Sequence, residues 1–282
     1  MFCSGRKGTV EYLEARELSA LGFVAHAFCT RRRGVSDGPF SSLNASLLVG
    51  DREEAVCRNL ALVGEAFGFP RERLAMMRQV HGDLIRVING DEPPLDRMPE
   101  CDGLITARPG MALAVKTADC VPLFFVDRVR RVIGVAHAGW RGTALGISAR
   151  MVDLLVERFS SRLEDILVAL GPAIGPCCYQ VDAPVRAALE ERRNAARFFQ
   201  PCSENGRWLL DLSLANRLQL QERGVPDANI LSADLCTACR QDLFFSHRAS
   251  RGRTGRQINV LMLKDVLPGK NARKKCLTSS IS

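Results

Sequence analysis

Histidine is scarce in this chain, with four in 282 residues against eleven cysteines. Any centre that consumes many imidazoles is excluded, and one small mixed site is the most the sequence can furnish. Long apolar runs are also missing: the segment from Val121 to Val126 stops at Asp127 and Arg128, well short of the roughly 18 to 20 residues of a membrane span. No membrane partner is expected. The opening MFCSGRKGTVEYLEARE has no apolar stretch behind Arg6 and Lys7, so a secretory signal is not expected and the cytoplasm is the expected compartment. The odd cysteine count prevents complete pairing within the chain, and in the cytoplasm the cysteines read as thiols.

Hydrophobic residues make up 46% of the sequence, enough to bury a real core. The net charge of +8 could mark a polyanion partner, but it is concentrated in two places. Arg248, Arg251, Arg253 and Arg256 carry half of it and Lys270, Arg273, Lys274 and Lys275 the other half, leaving the rest neutral in sum. The second group lies in a polar stretch without hydrophobic period, read as a basic disordered tail over 268–282 that follows a single domain over 1–267. The first sits in a glycine-containing loop suited to one anion or to a solvated turn. Nucleic acid is therefore not expected as a partner.

No repeat or low-complexity linker divides the chain, and short β-rich runs alternate with amphipathic segments. The pattern predicts an α/β domain. Strands are expected over 23–30, 84–89, 103–106, 113–117, 121–126, 132–137, 166–170 and 258–263. Helices are expected over 51–67, 143–159, 183–191 and 212–223. The second helix carries Leu145, Ile147, Met151, Leu154 and Leu155 at helical spacing, and the fourth ends where Gly224 and Pro226 would stop it.

The most informative stretch is residues 117–142, TADCVPLFFVDRVRRVIGVAHAGWRG, which reads as two apolar strands around a polar break. With Arg128 and Val129 as the loop, Cys120 lies opposite His137, where directly paired side chains stand about 4.5 to 5.5 Å apart. The bland alternative is a small buried thiol and a satisfied core histidine. The surroundings count against it, because Asp119 precedes Cys120 and Ala138-Gly139-Trp140-Arg141-Gly142 follows His137. Glycines and a cation at a strand-to-helix junction permit close approach to an anion. His81, in Gln79-Val80-His81-Gly82, completes a His–Cys–His set that would give zinc three ligands and leave a fourth position open. Two other cysteine features compete: the CxxC of Cys236 and Cys239 reads as a packing or turn element, and Cys177-Cys178 as buried thiols lining a rigid loop.

The runs Gln79-Val80-His81-Gly82, Asp102-Gly103-Leu104-Ile105-Thr106, residues 114–122 (AVKTADCVP), Ala136-His137-Ala138-Gly139-Trp140-Arg141-Gly142, residues 171–179 (GPAIGPCCY) and Cys236-Thr237-Ala238-Cys239 resemble, in order, the YfiH-like laccase-domain family. Its members are also called polyphenol oxidases or peptidoglycan editing factors, and the likeness covers about Gly22 to Leu263. The resemblance implies a single α/β/α layered domain with a mixed β-sheet, related to the catalytic domain of cytotoxic necrotizing factor toxins. It places the metal ligands on His81, Cys120 and His137. It implies purine nucleoside phosphorolysis, with deamination of adenosine and cleavage of methylthioadenosine, or alternatively removal of L-serine from UDP-MurNAc-L-Ser. Two departures stand out. Arg33 replaces a glycine, so the loop is expected to avoid a glycine-only conformation, and His247 stands where a tyrosine is usual.

Four histidines rule out a conventional multicopper laccase, although copper can occupy a His–Cys–His set that takes zinc. For phosphorolysis, Arg141 and Arg248, with Arg31 as a weaker third, are the fork-shaped donors for phosphate, and Asp119 is a candidate catalytic acid. The expected partners are a purine nucleoside and phosphate, and the expected state is a monomer or a homodimer. The competing enzyme class is a Cys120–His137 amide hydrolase. A nucleic-acid module using the two basic segments is the non-enzymatic reading.

Overall fold

The protein is described here by a computed structural model covering residues 1–89, 98–202, 204 and 206–265. The expected tail, 268–282, and the boundary at 267 lie outside the described residues. Fifteen strands occur among the described residues. In chain order β1 to β5 are Phe2–Lys7, Val10–Ala15, Val24–Cys29, Leu74–Ala75 and Ile85–Val87. β6 to β10 are Gly103–Thr106, Ala112–Thr117, Val121–Asp127, Val132–Ala138 and Ile166–Leu170. β11 to β15 are Gln180–Val181, Phe199–Pro201, Trp208–Leu210, Ile230–Ser232 and Gln257–Leu263. The helices α1 to α7 are Arg16–Ser19, Glu53–Phe67, Trp140–Leu145, Ile147–Phe159, Ala183–Glu190, Ala195–Phe198 and Leu212–Glu222.

The α/β class and the mixture of parallel and antiparallel pairs are as expected, but the strands do not form one sheet. Two six-stranded sheets, ordered β1-β2-β3-β15-β7-β4 and β14-β10-β8-β9-β6-β5, are accompanied by a small three-stranded one, β11-β13-β12. The inner strands are mostly apolar, as strands covered on both faces are; β7, β8, β9 and β15 are buried at every position. One core lies between the two large sheets, where Phe28 of β3 stacks on Phe124 of β8 with ring centroids 4.2 Å apart. Helix α2 covers the outer face of the first sheet through Val56, Leu60 and Val63. Helices α4 and α7 cover the second through Ile147, Met151, Leu155, Leu212 and Leu218. The layers thus run helix, sheet, sheet, helix.

The helix expected over 143–159 is two, because Gly146 adopts φ of 90° and ends α3 before α4 begins. A buried polar set fixes this break: Asn216 of α7 donates to Thr143 Oγ1 at 2.9 Å, and Ser148 donates to Asn216 Oδ1 at 3.0 Å. The segment carrying Arg141 is thereby held against α7. Arg33 corrects another expectation, since it takes φ of 63°, the very left-handed conformation its side chain was expected to avoid. An ion pair to Glu11 holds it there. No helix among the described residues is long and apolar enough to cross a membrane.

Candidate active site

The hairpin β8–β9 forms as expected, but the partner of His137 is shifted by two residues. Pro122 pairs with His137, and Cys120 precedes the strand altogether. The loop has four residues, 128–131, because Asp127 Oδ1 accepts the backbone N–H groups of Val129 and Arg130, each at 2.8 Å. A shift of two keeps positions 120 and 137 on one face of the hairpin, as diagonal rather than direct partners. Asp119, with φ of 94°, turns the chain just before Cys120 and the start of β8. The ligand atoms of His81, Cys120 and His137 consequently lie within 4.8 Å of one another.

His81 arrives from a loop and itself adopts φ of 61°. Its ring stands nearly perpendicular to that of His137, with centroids 4.8 Å apart. Gly139 leaves room for this convergence, since a Cβ there would come within 3.0 Å of His81 Cδ2 and 3.1 Å of Cys120 Sγ. Asp102, wholly buried just before β6, holds the set in place. Its Oδ1 accepts His137 Nδ1 at 2.8 Å and His81 N at 3.0 Å, while Oδ2 accepts Gly82 N at 2.7 Å and Val80 N at 3.1 Å. One carboxylate therefore orients one histidine ring and fixes the backbone carrying the other. With Nδ1 facing Asp102, His137 is free to present Nε2 to the cluster.

Burial alone would push the Cys120 thiol up, but the neighbouring His137 and His81 outweigh it and bring it down to about 6. Burial would push His137 down, yet Cys120 and Asp102 raise it to about 9. The pair therefore favours thiolate and imidazolium over neutral partners.

The cluster opens onto a cavity of about 470 Å³ whose lining includes Asp119, Arg141, Tyr179 and Arg248. That volume falls within the usual range for small-molecule sites. Arg141 lies over the Trp140 ring at 4.3 Å and Arg248 over Tyr179 at 5.0 Å, so both guanidinium groups are held by aromatic faces. Asp119 is buried with both carboxylate oxygens engaged, Oδ1 by Thr237 Oγ1 and Oδ2 by Arg248 N, each at 2.6 Å. Arg31 is not brought to this cavity. Its guanidinium lies 4.5 Å from the Phe245 ring and donates to the carbonyls of Ser41 and Gln241, in a separate groove.

Several residues of the site carry no obvious sequence signal. Lys116 and Arg256 line the cavity, and burial followed by the Arg256 charge brings Lys116 down to about 8. Lys116 sits inside the apolar strand ALAVKT, where a lone lysine looks like a solvated edge residue. His247 also lines the cavity, with burial first among the causes that lower it. Asp102 stood inside a recognised motif, but its role depends on the approach of residues 80–82, which spacing does not reveal.

The other cysteines also differ from expectation. Cys177, Cys178, Cys236 and Cys239 are not separate packing thiols: their sulfurs converge within 4.8 Å of one another, with Cys177 and Cys239 exposed and the other two half-buried. The two segments meet because Ala173 and Cys236 form an isolated parallel bridge, with Thr237 N donating to Ala173 O.

A family model described as multi-copper polyphenol oxidoreductase laccase matches residues 25–264. Among curated proteins, purine nucleoside phosphorylase YlmD of Geobacillus stearothermophilus is 44% identical over 240 residues, covering 81% of this chain and 86% of the relative. The YlmD purine nucleoside phosphorylase of Bacillus subtilis is 34% identical over 248 residues, covering 86% and 89%. Among solved structures, a Bacillus licheniformis protein described as hypothetical protein YfiH superposes with a TM-score of 0.85 at 37% identity, covering 91% of this chain and 97% of that one.

Proposed function

This chain belongs to the multi-copper polyphenol oxidoreductase laccase family, and from that premise we propose that it is a purine nucleoside phosphorylase whose centre is the His81–Cys120–His137 cluster. The observation that carries the reading is the joining of this three-ligand set to a cavity lined by Lys116, Arg141, Arg248 and Arg256. Phosphorolysis needs both an anion locus and a site for the departing base.

The donor set fits zinc: two imidazoles and one thiolate, with Asp102 fixing the tautomer of His137 in the manner of metal-ligating histidines. Bound there, zinc supplies a Lewis acid and an activated water, chemistry that adenosine deamination and methylthioadenosine cleavage would share with the same pocket. Copper suits the same nitrogen and sulfur donors.

The protein's own groups perform the remaining work. Arg141 and Arg248 bind and orient phosphate through planar donors restrained by Trp140 and Tyr179. Lys116 and Arg256 add positive charge within the same cavity lining. Phosphate attacks the ribose anomeric carbon as the bond to the purine nitrogen breaks, giving ribose 1-phosphate and a base that takes up a proton. Asp119 acts mainly by position, because its two hydrogen bonds join the cluster to Thr237 and to the Arg248 backbone.

A second reading has its own support. Asp102, His137 and Cys120 stand in the order of orienting acid, base and nucleophile, as an amide hydrolase would require. The experiment is incubation of metal-analysed protein with inosine plus phosphate and, separately, with UDP-MurNAc-L-Ser. Phosphate-dependent release of hypoxanthine is expected. Release of L-serine with inosine untouched would replace phosphorolysis by hydrolysis.

A further inference from the structure

Away from the His81–Cys120–His137 cluster, the chain gathers four sulfurs from two segments about sixty positions apart. We propose that Cys177, Cys178, Cys236 and Cys239 form a second metal site, a closed tetrathiolate centre for zinc that clamps the 171–179 loop to the segment over 233–240. The inference does not rest on phosphorolysis and holds whichever reaction the central cavity performs.

The geometry is that of four ligands around one ion. Zinc–sulfur bonds of about 2.3 Å in a tetrahedron separate neighbouring sulfurs by about 3.8 Å. Cys239 Sγ lies 3.6 Å from Cys177 Sγ and 3.4 Å from Cys178 Sγ. Adjacent cysteines would ordinarily diverge, but here the chain turns at Gly175, whose carbonyl accepts Cys178 N and Tyr179 N, both at 3.0 Å. Gly175 also permits the approach, since a Cβ there would stand 3.3 Å from both Cys177 Sγ and Cys236 Cβ.

Backbone donors already point at sulfur. Gly175 N–H donates to Cys236 Sγ at 3.2 Å, as outer N–H groups do around metal thiolates. Four thiolates within 4.8 Å of one another would repel, and a divalent ion between them offsets that repulsion. All four positions would be filled by protein, which leaves no place for substrate and marks the site as structural.

The clamp reaches the cavity through short links. Thr237, between the two cysteines of the CxxC, donates to Asp119 Oδ1, and Ile174 N donates to Asp119 O at 2.8 Å. Tyr179, next to Cys178, carries the face on which Arg248 rests.

The test is metal analysis of the full-length protein beside its Cys120→Ala variant, which breaks the central set and leaves the four thiols whole. Cys120→Ala is expected to retain roughly one zinc per chain. Cobalt in its place should give the strong thiolate charge-transfer bands of an all-sulfur tetrahedron, absent from the Cys236→Ser/Cys239→Ser double variant. A metal-free Cys120→Ala protein overturns the proposal, as does a disulfide joining Cys239 to Cys177 or Cys178 in native wild type. Should the double variant fail to fold, alkylation of wild type decides. Iodoacetamide is expected to label the four cysteines together only after chelation, and equal labelling without chelator contradicts the site.

Discussion

The two cysteine-containing clusters are built from opposite materials. The central one mixes two imidazoles with one thiol, draws on three separate segments and rests on a fully buried carboxylate. The peripheral one is all sulfur, is half-exposed and joins two segments through a parallel bridge. Three ligands facing a cavity leave a position where chemistry can occur, whereas four ligands that close on each other leave none. The difference teaches that cysteine count says little about function until the number of converging ligands and the space beside them are known.

The comparison is sharpened most by Asp102→Asn. The amide can no longer accept from His137 as an anion, and metal affinity at the central site should fall about 10- to 100-fold. Metal titration checks this, with the peripheral cysteines unchanged in their chelator-dependent labelling. An equal loss at both clusters would show that Asp102 acts on the whole fold.

Lys116 gives the next effect. A base whose folded value is brought down to about 8 keeps its charge below that pH and loses it as pH rises through it. The KM for phosphate should therefore climb between about pH 7 and 9, by roughly tenfold for one charge-assisted contact. Lys116→Met should have the high KM at every pH and lack that rise. A wild-type KM flat across this range would remove Lys116 from the anion locus.

Smaller still is the kinetic effect of Cys239→Ser. Loss of the clamp should lower the melting temperature, while the KM for phosphate stays within about two- to threefold of wild type, because the arginines keep their aromatic supports. A collapse in kcat with unchanged melting would make the cluster part of the reaction. Arg31→Ala marks the floor of the series: half-buried in a separate groove outside the cavity, it should change phosphate kinetics by less than about twofold. A larger loss would bring the neighbouring groove into the site.

Much of this was legible in the sequence. The β8 and β9 strands are continuous apolar runs that stop at charged residues, so their extents followed from pattern alone. Their register did not, because Asp127 turns its side chain onto two backbone N–H groups and builds a four-residue loop. The His81, Cys120 and His137 grouping nevertheless converges, because a shift of two residues leaves Cys120 and His137 on one face. The hairpin of β1 and β2 was passed over because its edge strand is largely polar and exposed. Asp102 and the four-thiol cluster were hidden for a common reason: each depends on segments far apart in sequence, and neither spacing nor periodicity encodes that approach.

The central claim is that the His81–Cys120–His137 cluster is where a purine nucleoside is cleaved by phosphate. Its most direct test compares wild type with Cys120→Ala, measuring metal content and phosphate-dependent hypoxanthine release from inosine on the same preparations. The account predicts that the variant loses the centrally held metal and the release of hypoxanthine together. A variant that keeps its full metal complement and still cleaves inosine at the wild-type rate would contradict it.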